Sequence, residues 1–551
     1  MHTATISGVE AVPVTVEVSV GNGLPGTYIV GMADTAINEA RFRVRLACRA
    51  AGFEVPNRCI VINLAPSSLR KSGSGLDLPI ALGLLIATGQ ISPDMVAGRL
   101  CVGELSIDGS VHPVNGQLAY EHLAFESGLS LLTAPIPRGV YPAKRHEHLC
   151  LSSLADLYDG ALQPARPREV DGGIATADFC DVAGNDFVKR ALQIAAVGKH
   201  AILLLGPPGS GKSMLASRLP SILPPLSDSE RIESAMIHSV AGLPYEEILQ
   251  GKQPFRAPHH SASRAGLLGG GNPLGPGEVT LAHNGVLFLD EMPEFGSSLL
   301  QLLRQPIENG YVALARANRT LVFPADFLLV GAANPCPCGY YGDPQRACKC
   351  SEAQISNYQG RIGGPIMDRF DMAVQVRRSD PAQVLATGQG VASKPLRTAV
   401  LAARDFRQQR QVAQDAEALD AVDVANGEAF AGVEKTVELA AAADVVKAVE
   451  AIKTDAGADC RPRRSVASSA AQPMASARTL GNGMRMIASC RLGSTERRFI
   501  EQAATRYQLS GRGIMRALSV ARTIADLEAS ERVNNDHLLE AVSFRFENGG
   551  F

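Results

Sequence analysis

Charge imbalance, membrane-length apolar runs and signal features are all missing from this sequence, and each absence excludes something. The formal charges of the 551 residues almost cancel, leaving −2. There is therefore no global positive field to draw in nucleic acid from a distance, and any such contact must come from a local basic surface. The longest apolar run, residues 78–88, contains a proline and falls short of the roughly 20 residues a bilayer span needs. Residues 1–11 lack the basic start and apolar core of a signal peptide. A soluble, cytoplasmic protein with no membrane partner is expected. Eleven cysteines in so long a chain do not make a disulfide framework, and no internal repeat is apparent.

What is present is globular. Hydrophobic residues make up 46% and charged residues 20%, which excludes disorder for the bulk of the chain, and the length suits three or four domains. Alternation over residues 14–20 and the apolar run 59–64 predict strands, while residues 34–51 and 78–87 have helical spacing. Residues 1–162 read as one α/β domain, 163–178 as a polar linker, 179–378 as a second α/β block, and 379–551 as mainly helical. Within the last, residues 433–483 read as an Ala-, Ser- and Arg-rich low-complexity insertion, with an ordered segment of the lid as the alternative.

The strongest motif is Gly206-Pro207-Pro208-Gly209-Ser210-Gly211-Lys212-Ser213, between an apolar strand at 201–205 and a helix expected at 214–219. That is the context a phosphate-binding loop requires. Glycines let backbone N–H groups close around phosphate oxygens, Lys212 reaches the β and γ phosphates, and Ser213 can ligate Mg²⁺, so ATP and Mg²⁺ are the expected cofactors. The run Val286-Leu287-Phe288-Leu289 ends in Asp290 and Glu291. A buried strand explains the apolar residues but not two acids at its C-terminal edge, where open α/β sheets bind ligands. Asp290 suits Mg²⁺ and Glu291 suits activation of a water. Asn334 follows another apolar strand, where its amide can hold that water; an asparagine in a turn before Pro335 is the plain alternative.

These spacings resemble the AAA+ ATPases. Arg256-Ala257-Pro258-His259-His260-Ser261, Gly269-Gly270-Gly271-Asn272-Pro273 and the run from Pro276 to Glu291 resemble more closely the magnesium-chelatase-like family of competence-associated ATPases, the ComM or YifB type. Gly31-Met32-Ala33-Asp34 and Asn63-Leu64-Ala65-Pro66 match its N-terminal domain. The resemblance implies an AAA+ P-loop α/β core, a helical C-terminal lid of the magnesium-chelatase type and a homo-oligomeric ring, expected to be a hexamer. It implies Arg369 as an arginine finger for the neighbouring subunit and Arg512, after the expected helix cap Ser510, as a lid sensor; a solvated surface charge is the alternative for each. It also implies that the hairpin at residues 311–322, with Arg316 and Arg319 near its tip, faces a pore holding single-stranded or branched DNA. A solvated turn is the alternative there. Arg256 and Arg264 belong to a second Gly-rich insertion that would line the same channel, while His259 and His260 read equally as ordinary loop histidines.

The first domain resembles the Lon protease fold, but Gly75 falls at the nucleophile position and Leu118 at the lysine position. Proteolysis is not expected unless Ser74 finds an amine base. Cys336, Cys338, Cys348 and Cys350 form two C-x-C pairs. Structural zinc, free thiols and a redox switch are all open readings. The expected function is an ATP hydrolase of the AAA+ type driving DNA branch migration in transformation or recombination. The rivals are a magnesium-chelatase motor subunit, which the Lon-like domain and the cysteines disfavour, and an assembly scaffold.

Overall fold

The computed structural model describes residues 1–135, 147–160, 162–165, 177–271, 274–316, 319–362, 364–378, 390–429 and 485–546. The chain divides into two compact units, Met1–Leu401 with Glu540–Phe551, and Ala402–Leu539. The insertion expected at 433–483 lies outside the described residues.

The N-terminal part of the first unit is built on an eight-stranded sheet in the order Gln163–Pro164, His148–Cys150, Ser130–Thr133, Arg99–Cys101, His2–Ser7, Glu10–Gly21, Cys59–Ala65, Gly26–Val30. Alternation decides the faces. Val14 and Val16 are buried while Glu17 and Ser19 face outward, so register with Cys59–Ala65 (Val16 opposite Leu64) puts apolar side chains on one side. Gln163–Pro164, which composition assigns to the linker, pair with Cys150 and Leu149; a proline is tolerated on this outermost strand because the edge has no further neighbour to donate to.

Helix Thr35–Ala50 is capped by Asp34, whose Oδ1 accepts from the Ile37 N–H at 2.9 Å. Its residues Ile37, Ala40, Val44, Ala47 and Cys48 are buried, the spacing of one helical face. The apolar run that is too short for a membrane is helix Asp77–Ala87, buried on most sides. Asp77 at its start is held by Arg43, with Nε to Oδ2 at 2.8 Å and Nη2 to Oδ1 at 3.0 Å. Among the described residues no helix is long and apolar enough to cross a membrane.

The second part of this unit is a five-stranded, all-parallel sheet in the order Phe255–Arg256, Val286–Leu289, Leu328–Ala333, Ile202–Leu205, Met372–Gln375. Its strands are apolar runs because both faces are covered. Strand Ile202–Leu205, first in the chain, lies between the fourth and the fifth, so the winding direction changes beside it. That is where open α/β sheets place a ligand crevice. The two parts are joined by helix Gln117–Glu126 against Asp228–Val240. Leu118, Ala119, Ala235 and Met236 form a shared apolar cluster there, and the Gly116 N–H donates to the Ser239 carbonyl at 2.8 Å.

The second unit contains the helices Ser494–Arg506 and Gly511–Leu527. Ser510 caps the latter, its Oγ accepting from the Gly513 N–H at 3.2 Å. The buried Asp526 accepts from Arg410 at 3.1 and 3.2 Å and from Arg522 at 3.1 Å, a buried charge that is tolerated because it is paired and hydrogen-bonded.

Candidate functional site

Three neighbouring parallel strands end on the same side of the sheet, Leu205 level with Ala333 and Leu289 with Gly331, and each delivers one part of the site. Ile202–Leu205 leads into the glycine-rich loop, Val286–Leu289 into Asp290 and Glu291, and Leu328–Ala333 into Asn334. Gly206 leaves its strand so close to the Val376 carbonyl that a Cβ would lie 2.3 Å from that oxygen. Gly209 and Gly211 have φ of +76° and +91°, with open space where a side chain would project. Helix Lys212–Arg218 then begins two residues earlier than the sequence suggests, because Gly211 completes the turn and lets Lys212 enter as its first residue.

The side chains converge. Lys212 Nζ donates to the carbonyls of Gly206 at 2.8 Å and Pro207 at 3.0 Å, and to Asn334 Oδ1 at 3.0 Å. Ser213 Oγ donates to Asp290 Oδ2 at 2.6 Å. The Glu291 N–H donates to Asp290 Oδ1 at 2.9 Å, and its backbone is left-handed at φ +49°. Burial pulls the Lys212 amine down to about 8, although the Asp290 and Glu291 charges oppose the shift.

ATP and Mg²⁺ fit these residues. The Ser210 hydroxyl is buried in the loop without a hydrogen-bond partner, and a buried polar group of this kind calls for an acceptor that the chain does not supply. A hydroxyl and a carboxylate already in contact, Ser213 and Asp290, provide the hard oxygen donors Mg²⁺ takes. Glu291 Oε2 lies 3.7 Å from His260 Nδ1. The His-His pair alone did not reveal this neighbour, since only the pairing of Phe255–Arg256 beside Val286–Leu289 brings residues 260 and 291 together.

Other expected residues are placed differently. Arg369 is buried, and its guanidinium pairs with Glu308 of the same chain; the sequence carries no local sign of a partner 61 residues away. Arg256 is committed to Glu278 through two contacts of 2.6 Å. Arg264 is exposed at the start of the short helix Arg264–Leu268. Arg316 and Arg319 face each other across the tip of the hairpin formed by Tyr311–Arg316 and Arg319–Pro324, while their side chains lie outside the described residues. Arg512 is exposed, second in helix Gly511–Leu527 of the other unit.

The four cysteines meet. Their Sγ atoms all lie within 4.8 Å of one another, with Cys336–Cys338 at 3.4 Å, Cys336–Cys348 at 3.6 Å and Cys338–Cys348 at 3.5 Å. Against the upward push of burial, backbone N–H groups of Lys349 and Tyr340 hold the Cys338 thiol down at about 6.

In the N-terminal part, Ser74 Oγ donates to Glu104 Oε2 at 2.5 Å. The lysine three residues before it, Lys71, is fully buried and donates to the carbonyls of Gly31 at 2.9 Å, Leu64 at 2.8 Å and Pro66. At Gly75 a Cβ would already press on Val102 at 3.3 Å, and Leu118 belongs to the apolar cluster against the second sheet.

The chain is similar to known proteins over most of its length. Residues 178–384 match the family described as magnesium chelatase, subunit ChlI, residues 16–136 that described as subunit ChlI of Mg-chelatase, and residues 458–545 its C-terminal part. The chain is 35% identical to the uncharacterized protein YifB of Salmonella typhimurium over 99% of its own length and 96% of that protein. It is 34% identical to the competence protein ComM of Haemophilus influenzae over 98% of its length and 95% of that protein. Similarity to the magnesium-chelatase 67 kDa subunit of Chlorobaculum parvum, at 30% identity, covers 28% of this chain and 23% of that one.

Proposed function

Since the chain belongs to the magnesium-chelatase-like AAA+ family that includes ComM and YifB, we propose that it is an ATP-hydrolysing, ring-forming motor that moves on branched or single-stranded DNA. Its task on this reading is branch migration during natural transformation or recombination. The observation that carries the ATPase reading is the convergence of Lys212, Ser213, Asp290 and Asn334 at three adjacent strand ends. Lys212 and the loop N–H groups bind the phosphates, Ser213 and Asp290 hold Mg²⁺, and Glu291 takes a proton from the attacking water. Asn334, now on Lys212, is positioned to turn to that water once phosphate takes over the amine.

The remaining assignments belong to the same proposal. Residues 1–162, with the edge strand Gln163–Pro164, form a Lon-like, non-proteolytic domain, the rest of 163–178 a linker, 179–378 the AAA+ core and 379–551 the helical lid. Arg369 serves a neighbouring subunit, which requires exchange of its Glu308 partner for a γ phosphate, and Arg512 senses nucleotide from the lid. Arg316 and Arg319 follow a DNA backbone in the pore of a hexamer, with Arg264 and, if released from Glu278, Arg256 nearby. Cytoplasmic location and a zinc ion on the four cysteines complete the reading. The DNA task draws its support from similarity to a protein named for competence over nearly the whole length of both chains. A chelatase motor is less well supported, because that similarity spans 28% of the chain.

The test is ATP turnover measured without DNA, with single-stranded DNA and with a four-way junction, alongside Lys212→Ala and Glu291→Gln. Stimulation by DNA and junction unwinding are expected, both lost in the two variants. Turnover that ignores DNA, with an intact junction at the end, would rule the DNA motor out.

A further inference from the structure

The loop between Asn334 and helix Glu352–Gly360 has almost no core of its own. From residue 340 to residue 350 no apolar residue is buried, and the one buried side chain is the carboxylate of Asp343, paired with Arg378 at 3.8 Å, so apolar packing does not hold this stretch in place. Yet it is closely arranged. The Gly339 N–H donates to the Cys336 carbonyl at 2.9 Å, the Tyr341 N–H to Cys336 Sγ at 3.3 Å and the Cys350 N–H to Cys348 Sγ at 3.4 Å. Arg346 donates to the Tyr340 hydroxyl at 2.8 Å and lies over its ring at 4.2 Å. Small loops of this kind are commonly fixed by a cross-link, a metal ion or a disulfide.

The sulfur positions decide between those two. A disulfide needs about 2.05 Å between sulfurs, whereas the closest pair here stands at 3.4 Å. Four thiolates around Zn²⁺ at about 2.3 Å define a tetrahedron with edges of about 3.8 Å; the separations among Cys336, Cys338 and Cys348, 3.4, 3.5 and 3.6 Å, come near it, and Cys350 Sγ lies within 4.8 Å of each of the three. Cys336 is fully buried at the root of the loop and the other three are half-buried, an enclosed four-ligand set of the structural type rather than an open catalytic one.

This cluster touches the phosphate-binding loop. Gly339 is buried at φ +82°, and a Cβ placed on it would lie 2.3 Å from Pro208 Cδ and 2.6 Å from Pro208 Cγ. Gly339 follows one ligand, Cys338, directly, and Pro208 directly follows Gly206 and Pro207, whose carbonyls receive Lys212. At the other side, Gln359 of helix Glu352–Gly360 donates to the Pro335 carbonyl at 3.1 Å. The cysteine loop is therefore wedged between the nucleotide loop and the next helix.

We propose that Cys336, Cys338, Cys348 and Cys350 bind one Zn²⁺ per chain, and that this metal-held loop braces the phosphate-binding loop through the Gly339–Pro208 contact, so that ATP affinity depends on zinc. The dependence rests on the reading of Gly206 to Ser213 as the ATP site; the metal site does not. Loss of zinc frees a loop without a core, and Pro208 loses the wall against which the turn is set.

The full chain, purified from zinc-supplied medium under a phosphine reductant, is analysed for metal by plasma mass spectrometry, and binding of a fluorescent ATP analogue with Mg²⁺ is titrated. One zinc per chain is expected. The double variant Cys348→Ser with Cys350→Ser should lose the metal and bind nucleotide about tenfold more weakly. Gly339→Ala, which leaves every thiol in place, should keep its zinc and show a similar weakening. Absence of stoichiometric zinc overturns the metal site. Zinc present with unchanged nucleotide affinity in Gly339→Ala overturns the brace. Lys212→Ala serves as the separate control: it should retain zinc and lose nucleotide, and if it still binds nucleotide the ATP-site reading fails while the zinc count stands.

Discussion

Two glycine-rich turns in this chain lead from a strand into a helix and carry a lysine: residues 66–76, ahead of Asp77–Ala87, and residues 206–211, ahead of Lys212–Arg218. In the first, Lys71 gives its three protons to main-chain carbonyls at the base of the turn and is sealed from solvent. In the second, Lys212 gives two to carbonyls and one to the side-chain amide of Asn334. On the function proposed above, that single difference separates a strut from a phosphate ligand. Carbonyls fixed in a turn cannot swing to a new donor if the amine leaves, whereas a side-chain amide can rotate away and yield its place to a phosphate oxygen. Around Lys71 the hydroxyl of Ser74 meets a carboxylate, while around Lys212 the adjacent Ser213 hydroxyl is joined by two carboxylates from the end of one strand and an amide from the end of another.

The contrast is most exposed to Glu291→Gln. It should lower the rate of ATP hydrolysis by about 10²- to 10⁴-fold with nucleotide affinity unchanged, read by turnover and by binding titration; a retained rate removes Glu291 from the chemistry. Next comes an exchange of the two lysines' roles. Lys71→Met should cost about 3 kcal/mol of unfolding free energy in a denaturant titration, because carbonyls lose a charged donor. Lys212→Met should cost less than about 1 kcal/mol and abolish nucleotide binding. Equal losses of stability would erase the distinction drawn between them.

A smaller effect concerns pH. On the proposed reading phosphate binds the protonated amine, and burial lowers the Lys212 amine of the nucleotide-free chain to about 8. Above that value the free protein sheds the proton that binding requires, so affinity should fall with rising pH, approaching tenfold per unit, and binding at pH 9 should take up a proton. A flat profile from pH 7 to 9, measured in buffers of different ionisation enthalpy, would mean the amine stays charged. The smallest expectation is Ser74→Ala, with ATP turnover unaltered and an unfolded protein substrate left intact before and after the change. Cleavage by the parent chain that vanishes in this variant would restore the first turn to catalysis.

The two turns were not equally legible in the sequence. Strand, loop and helix around Lys212 are contiguous, and so are the runs ending at Asp290 and Asn334, so period and motif alone identify each part. Their convergence follows once strand order is known. Lys71 is different: Leu64 and Pro66 lie close by in the chain without any mark that their carbonyls will face its amine, and Gly31 comes from another stretch. The same holds for Glu308 against Arg369, His260 beside Glu291 and Gly339 against Pro208. Each is a contact between segments whose composition is unremarkable, created by pairing and packing at a distance. Reading 163–164 as linker failed to find their pairing for a related reason, since two residues on a sheet edge carry too little pattern to stand out.

Glu291 has one more implication. A side chain other than glycine in the left-handed region costs on the order of 1 kcal/mol or more, and Glu291 sits there at φ +49°. Glycine at that position would rest without strain and would give up the carboxylate. The chain thus carries at its strand end a residue that thermodynamics alone would replace, and the folded protein is less stable than its own backbone permits by the amount needed to keep an acid facing the phosphate loop.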